Sequence, residues 1–187
     1  MNNVLHLASN INVLPILLEL KNNPQLWNQF TARTSFKGSP HEGIDDIWVR
    51  YNSVANWDPL NPHEFNEPHE AVWYPAADKL PSIKNLAYEI MHMVKGERLG
   101  GILITRIPPG GISKPHVDRG WHAEYYDKYA LQLESHPQQA FCFEEGSFSA
   151  KPGDLYWFNN QALHWVPNDS PVDRITLIFC IRTNRGN

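Results

Sequence analysis

The chain has 187 residues, of which 42% are hydrophobic and 12% aromatic, and this composition excludes a disordered segment because it supplies a sizeable apolar core. Its formal net charge is -4, and no basic cluster interrupts the sequence, which argues against nucleic-acid binding. No stretch approaches the roughly 18 apolar residues of a membrane span, and the N-terminus lacks the pattern of a signal peptide. We therefore expect a cytoplasmic protein that forms a single domain over residues 1–187 and has no nucleic-acid or membrane partner.

The first half of the chain has a mixed pattern. Apolar spacing predicts a short helix over 11–23, and the segment IDDIWVRYN (residues 44–52) is predicted to form a strand. Residues 56–81 are rich in Pro, Asn and His, which indicates a long irregular loop, and loops of that length are often functional. The clearest helix is predicted over 81–95, with Gly96 as its C-terminal stop. Residues 1–98 are thus expected to form a mixed, mainly helical part that packs on a barrel formed by the rest of the chain.

From residue 99 the pattern changes to about eight short strands separated by turn signals, and it continues to residue 183. Such a series favours a mainly β fold with flanking helices, whose core is a double-stranded β-helix (a jelly-roll, as in cupins). Cys142 and Cys180 lie in apolar strands of this series and are too few for a disulfide framework, so we expect buried, reduced thiols.

The chemistry is concentrated in a His116-Val117-Asp118 triplet and a single His164 on a late strand. Alternate residues of a strand project to the same face, so His116 and Asp118 are expected to point together into the barrel. Two imidazoles and one carboxylate on one side of a metal form the facial triad that suits Fe(II) and leaves positions open for other ligands. These three residues are the candidate metal ligands and catalytic residues.

Arg174 follows His164 by ten residues, at the start of an apolar strand on which it shares a face with Thr176. Arginine is rarely buried without a partner, so a guanidinium that lines the barrel requires an anion. The alternative places Arg174 at the mouth of the strand, paired with Asp173 or with an acid from a loop.

Residues 100–182 resemble the aspartyl/asparaginyl β-hydroxylase branch of the Fe(II)/2-oxoglutarate-dependent dioxygenases. The resemblance is carried by the motifs ITRIPPGGISKPHVD, KYALQLES, KPGDLYWFNNQALHWVPN and DRITLIFCI. It implies that His116 and His164 bind iron, that Arg174 binds 2-oxoglutarate, and that the hydroxyl of Thr105 assists. The implied cofactors are Fe(II), 2-oxoglutarate as cosubstrate, and O2.

Two positions depart from the pattern of that branch. Asp118 supplies an acidic ligand that the best-known animal members lack, and an expected Arg-x-His is replaced by Lys128-Tyr129-Ala130. Lys128 can take the place of the arginine, so Lys128 and Thr176 join Arg174 and Thr105 as expected cosubstrate contacts. The implied substrate is an amino acid of the Asp/Asn or Pro type, free or within a peptide or protein. The sequence predicts no oligomeric state.

Two other functions remain open at this point. One is a cupin-like metalloprotein that does not use 2-oxoglutarate, and the other is a non-enzymatic jelly-roll that binds a small molecule or peptide. His63 and His69 suggest a second metal, but their loop has no regular ligand spacing, and solvated side chains are the favoured interpretation.

Overall fold

The computed structural model describes residues 2–35 and 37–184. The strands are β1 (Val4–Ala8), β2 (Asp45–Tyr51), β3 (Val72–Trp73), β4 (Gly96–Ile107), β5 (Ile112–His116), β6 (Asp127–Glu134), β7 (Phe141–Phe143), β8 (Gly146–Phe148), β9 (Leu155–Phe158), β10 (His164–Pro167) and β11 (Arg174–Thr183). The helices are α1 (Leu14–Asn22), α2 (Ala76–Lys79), α3 (Pro81–Met93) and α4 (Trp121–Tyr125). Short 3-10 turns lie at Pro24–Leu26, Val54–Asn56 and Pro62–Asn66.

The strands form two antiparallel sheets. The larger has the order β1-β9-β6-β11-β4-β2-β3, and the smaller has the order β5-β10-β7-β8. A cluster of apolar side chains from both sheets lies between them, so that the sheets enclose a common interior. The predicted fold class is therefore confirmed, and the series predicted from residue 99 onward corresponds to the eight strands β4–β11.

Helices α1 and α3 lie on the other face of the larger sheet. Ile16 of α1 and Ile83, Ala87 and Ile90 of α3 are buried in the main core together with side chains of the large sheet, such as Leu177. Each of these two helices has a proline in its first turn, where the missing N–H is not needed for a helical hydrogen bond. Helices α1 and α3 therefore do not occupy the space between the two sheets, where the candidate site residues lie.

The N-terminal part contributes more to the β structure than its sequence indicated. Besides the helices, residues 2–98 supply β1, β2 and β3 to the large sheet, and β4 begins at Gly96. The strand β1 was not predicted, because its short run of alternating residues ends after five positions. The predicted irregular loop over 56–81 also contains a 3-10 turn, β3 and α2.

The end of α3 differs from the prediction. The helix ends at Met93, and Lys95, rather than a glycine, adopts the left-handed conformation with φ of 55°. Gly96 is required for packing instead, because a Cβ atom there would overlap with Cγ2 of Ile181. Cys142 and Cys180 are both buried and free, as predicted.

The helices of the described part of the chain are short or amphipathic. Within residues 2–35 and 37–184, none of them is both long and apolar enough to cross a bilayer.

Candidate metal centre and anion pocket

Three predicted ligands converge at one end of the space between the sheets. His116 is the last residue of β5 and lies directly opposite His164, the first residue of β10. Asp118 follows β5, and its backbone N–H donates to the carbonyl of Asn160 at 2.9 Å. One ligand atom from each of these three side chains lies within 4.8 Å of the others, which is close enough for a single ion. The prediction that Asp118 belongs to the same strand as His116 is wrong, because β5 ends first.

The backbone fixes the orientation of both imidazoles. Nδ1 of His116 lies 2.7 Å from the carbonyl oxygen of Lys114, and Nδ1 of His164 lies 2.9 Å from that of Ala162. A carbonyl only accepts, so each Nδ1 carries the proton and donates it. Each Nε2 therefore keeps its lone pair, and this is the arrangement in which histidine binds a metal.

Lys128 lies beside the carboxylate of Asp118. Its ammonium donates to Oδ2 at 2.5 Å, while Oδ1 faces the cluster at 3.5 Å from Nε2 of His116. One oxygen is thereby held by the lysine and the other is available to an ion. Although burial raises the pKa of Asp118, the charge of Lys128, the interaction with His164 and the lysine hydrogen bond lower it to about 2.

Burial also determines the charge of the histidines. It lowers the pKa of His164 to about 4, against a smaller opposing effect of Asp118, and it lowers the pKa of His116 as well. Both imidazoles are therefore neutral at pH 7, and a neutral imidazole is the form that coordinates metal. Two neutral nitrogen donors and one carboxylate fit Fe(II) among the first-row ions, and they match the facial triad.

Arg174 lies in the same cavity and is only 3% exposed. Its guanidinium donates to Oε1 of Gln132 at 2.9 Å and to the hydroxyl of Tyr156 at 3.3 Å. Within residues 2–35 and 37–184, no carboxylate forms an ion pair with it. The alternative pairing with Asp173 is wrong, because that carboxylate approaches Arg106 instead.

Two hydroxyls of the large sheet accompany Arg174. Thr105 of β4 and Thr176 of β11 are paired in register, are buried, and line the cavity. The hydroxyl of Thr176 donates to Oε1 of Gln132 at 3.4 Å. Lys128 lines the cavity too, but the contact that the structure gives it is with Asp118. All seven predicted site residues are thus brought to one cavity.

Several groups of the site were not predicted. His41 lies in an irregular segment, with its ring centroid 4.7 Å from that of His116. Asp46 of β2 is fully buried and binds Arg33 with two hydrogen bonds of 2.6 and 2.9 Å. The sequence pattern marked neither this pair nor His41.

A second cavity meets the first beside Asp118, one of the three candidate metal ligands. Asp118 and Lys128 line both, and Trp48, Tyr51 and His122 line only the second of the two. Burial lowers the pKa of His122 to about 3, so its ring is neutral. His69 stacks on this ring at 5.7 Å and is half-buried, which corrects the interpretation of His69 as a solvated side chain, while His63 is exposed.

No family model matches the chain, and no curated protein matches it. Its fold is similar to that of several solved structures. One is a prolyl hydroxylase from Trichoplax adhaerens in complex with a peptide fragment of the hypoxia inducible factor oxygen degradation domain. It is 11% identical to this chain with a TM-score of 0.61, and the match covers 97% of this chain and 84% of that chain. A prolyl-4-hydroxylase from Pseudomonas putida is 16% identical with a TM-score of 0.55, covering 97% and 93%. A 2OG-Fe(II) oxygenase family oxidoreductase from Burkholderia pseudomallei is 15% identical with a TM-score of 0.51, covering 76% and 68%.

At these identities the likeness establishes the fold, and it agrees with the predicted jelly-roll. None of the three structures is named as an aspartyl/asparaginyl hydroxylase. That branch assignment therefore stays a prediction.

Proposed function

We propose that this chain is an oxygenase that uses Fe(II), 2-oxoglutarate and O2 to hydroxylate an amino acid, either free or within a peptide or protein. One observation carries the proposal: a cluster of two histidines and one carboxylate lines the same cavity as a buried guanidinium that has no acidic partner among the described residues. A metal alone would not need the guanidinium, and a simple anion site would not need the triad.

His116, His164 and Asp118 would hold the metal, with both imidazoles already neutral and oriented by backbone carbonyls. When bound, Fe(II) and 2-oxoglutarate supply the oxidising chemistry, in which one atom of O2 enters the substrate as hydroxyl, the other enters succinate, and CO2 leaves. Lys128 keeps one oxygen of Asp118 occupied, so that this carboxylate offers the other oxygen to the metal.

Arg174 would bind the carboxylate of 2-oxoglutarate that is remote from the metal. A planar guanidinium matches a carboxylate with two parallel hydrogen bonds, and the hydroxyls of Thr105 and Thr176 line the same cavity. The rest of the lining is largely apolar and includes Phe141 and Phe158. These rings exclude water, which strengthens the attraction between the guanidinium and a bound anion.

The second cavity is the proposed approach for the substrate. It reaches Asp118 from the side lined by Trp48, Tyr51 and His122, whereas the first cavity reaches the same residue from the side of Arg174. Cosubstrate and substrate would then meet at the metal without competing for space. Aromatic walls with a few polar groups are typical of sites for small organic ligands.

An amino acid substrate is proposed from the resemblance in sequence. Two of the solved structures with this fold are named as prolyl hydroxylases, and one of them contains a peptide. This supports including proline and prolyl peptides in the first substrate panel, beside aspartyl and asparaginyl compounds. The panel member that increases turnover of 2-oxoglutarate shows whether the substrate is of the Pro type or of the Asp/Asn type.

The test is release of labelled CO2 from 1-labelled 2-oxoglutarate by the purified protein with Fe(II) and ascorbate. We expect slow release without substrate, faster release with the correct panel member, and none from a His116→Ala variant. Metal binding without consumption of 2-oxoglutarate would instead support a cupin-like metalloprotein. Absence of both metal binding and consumption would support a binding module.

A further inference from the structure

Gln132 lies in the middle of β6 and is completely buried. Its side-chain nitrogen donates to the carbonyl of Glu134 at 2.6 Å and to that of Ile175 at 2.9 Å. Because carbonyls only accept, these two bonds use both N–H groups and determine which way round the amide lies. Its oxygen therefore faces the opposite way, 2.9 Å from Nη2 of Arg174.

Within the part of the chain that the structure describes, the groups that accept hydrogen bonds from Arg174 are all uncharged. Besides Gln132, they are the hydroxyl of Tyr156 and the carbonyl of Ala140, at 3.3 and 3.5 Å. Burial raises the pKa of Tyr156, so its phenol remains protonated. A buried cation with only neutral acceptors keeps its full charge, although such burial is costly unless an anion is bound.

The register of the sheet explains why Gln132 occupies this place. Gln132 of β6 is paired with Thr176 of β11, two residues beyond Arg174 on the same face. The amide oxygen thus accepts from both the guanidinium and the Thr176 hydroxyl. A carboxylate at position 132 would reach the same donors but would neutralise the cation.

We infer that Gln132 is a positioning residue, which orients Arg174 toward the cavity without neutralising it and thereby sets the affinity for the cosubstrate carboxylate. The inference rests on the proposed function, since it assumes that the anion is 2-oxoglutarate. It concerns affinity for that anion only. The three candidate metal ligands are other residues.

The experiment compares Gln132→Glu with Gln132→Met. Both variants lose the two amide donors, but only the glutamate adds a negative charge. We measure the dissociation constant of 2-oxoglutarate by calorimetry with Mn(II) present, and the affinity for Mn(II) alone. We expect binding about 10-fold weaker in Gln132→Met and about 100-fold weaker in Gln132→Glu, with metal affinity unchanged in both.

Steady-state kinetics supply an independent measurement. We expect the KM for 2-oxoglutarate to rise in both variants, while kcat at saturating 2-oxoglutarate stays within about two-fold of the wild type, because only binding of the anion is altered. Equal affinity for 2-oxoglutarate in both variants and the wild type would overturn the inference. If Gln132→Glu does not fold, wild-type affinity in Gln132→Met overturns it on its own. A wild-type protein that does not bind 2-oxoglutarate at all would instead overturn the proposed function.

Discussion

The two ends of the cavity differ in the partners of their charged side chains. At the metal end, the carboxylate of Asp118 is paired with Lys128, and the two imidazoles are neutral and bonded to backbone carbonyls. At the other end, Arg174 is a buried cation whose hydrogen-bond acceptors, among residues 2–35 and 37–184, are all neutral. We propose that the first end binds a metal cation through ligands that are already oriented, and that the second end binds an anion, which supplies the missing negative charge.

A guanidinium elsewhere in the same sheet gives the contrast. Arg106 of β4 donates to Oδ2 of Asp45 through two nitrogens, at 2.8 and 2.6 Å. This partly exposed guanidinium therefore has a carboxylate partner. Arg174 instead has the amide oxygen of Gln132 as an acceptor. The absence of an acidic partner, within the described residues, distinguishes Arg174 from Arg106 and also from Arg33, which lines the same cavity and is paired with Asp46.

The largest effect is expected from removing a ligand at the metal end. His164→Ala deletes a neutral nitrogen donor, and two remaining ligands hold the ion poorly. We expect turnover of 2-oxoglutarate to fall to background and bound metal to fall well below one ion per chain, measured by elemental analysis after dialysis. His63→Ala, an exposed histidine in a loop, is the control and is expected to retain both. Full metal content in His164→Ala would remove this residue from the site.

A smaller and different effect is expected at the other end. Arg174→Met removes the cation, and a hydrogen bond to a charged group contributes roughly 1.5–3 kcal/mol. We expect the affinity for 2-oxoglutarate to fall about 10-fold to 150-fold while metal content is retained. Calorimetry with Mn(II) present measures both quantities.

The matched control for that prediction is Arg106→Met. This arginine is paired with Asp45, so its loss is expected to reduce stability slightly and to leave 2-oxoglutarate binding unchanged. If both variants weakened 2-oxoglutarate binding equally, the special role of an arginine without an acidic partner would be refuted.

The side chain of Lys128 lines the cavity and donates a hydrogen bond to Asp118, a predicted metal ligand. Lys128→Met leaves Asp118 without its hydrogen-bonded cation, and loss of such a partner commonly reduces metal affinity 10–100-fold. We expect a reduction of about that size in titrations with Mn(II). Lys128→Arg retains a donor and should recover part of the affinity. Unchanged affinity in Lys128→Met would show that Asp118 does not need the lysine.

The smallest effect concerns pH. Because burial lowers the pKa of His164 to about 4 and also lowers the pKa of His116, protons compete with metal less than they would at ordinary imidazoles. We expect Mn(II) affinity to change by less than about two-fold between pH 7.5 and pH 6.0. An ordinary imidazole with a pKa near 6.5 would already be mostly protonated at the lower pH. A steep loss over this interval would contradict the assignment of neutral, buried ligands.

The sequence was sufficient for the residues whose roles follow from regular spacing. Short strands with turn signals predicted the jelly-roll, and the HxD triplet with a late histidine predicted the cluster of His116, Asp118 and His164. Arg174 was expected to need an anion because an apolar strand began with a cation. These inferences depend on the periodicity of apolar residues and on the positions of charged residues, and both can be identified from the sequence alone.

Other parts of the site could not be predicted because they depend on contacts between distant strands. Gln132 is a single amide in an apolar strand, and its importance appears only when β6 lies beside β11. His41 reaches the cluster from an irregular segment without periodicity. Lys128 was assigned to the cosubstrate, but its observed partner is Asp118. A contact between Lys128 and the cosubstrate remains a prediction. The single-domain organisation of the chain also remains a prediction.

The most direct test of the central claim is a crystal structure of the protein soaked with Mn(II) and 2-oxoglutarate, with the metal located by anomalous scattering. The account predicts one ion at about 2.0–2.3 Å from Nε2 of His116, Nε2 of His164 and Oδ1 of Asp118, and one carboxylate of 2-oxoglutarate bound to Arg174. An ion held by other residues, or 2-oxoglutarate bound away from Arg174, would contradict it.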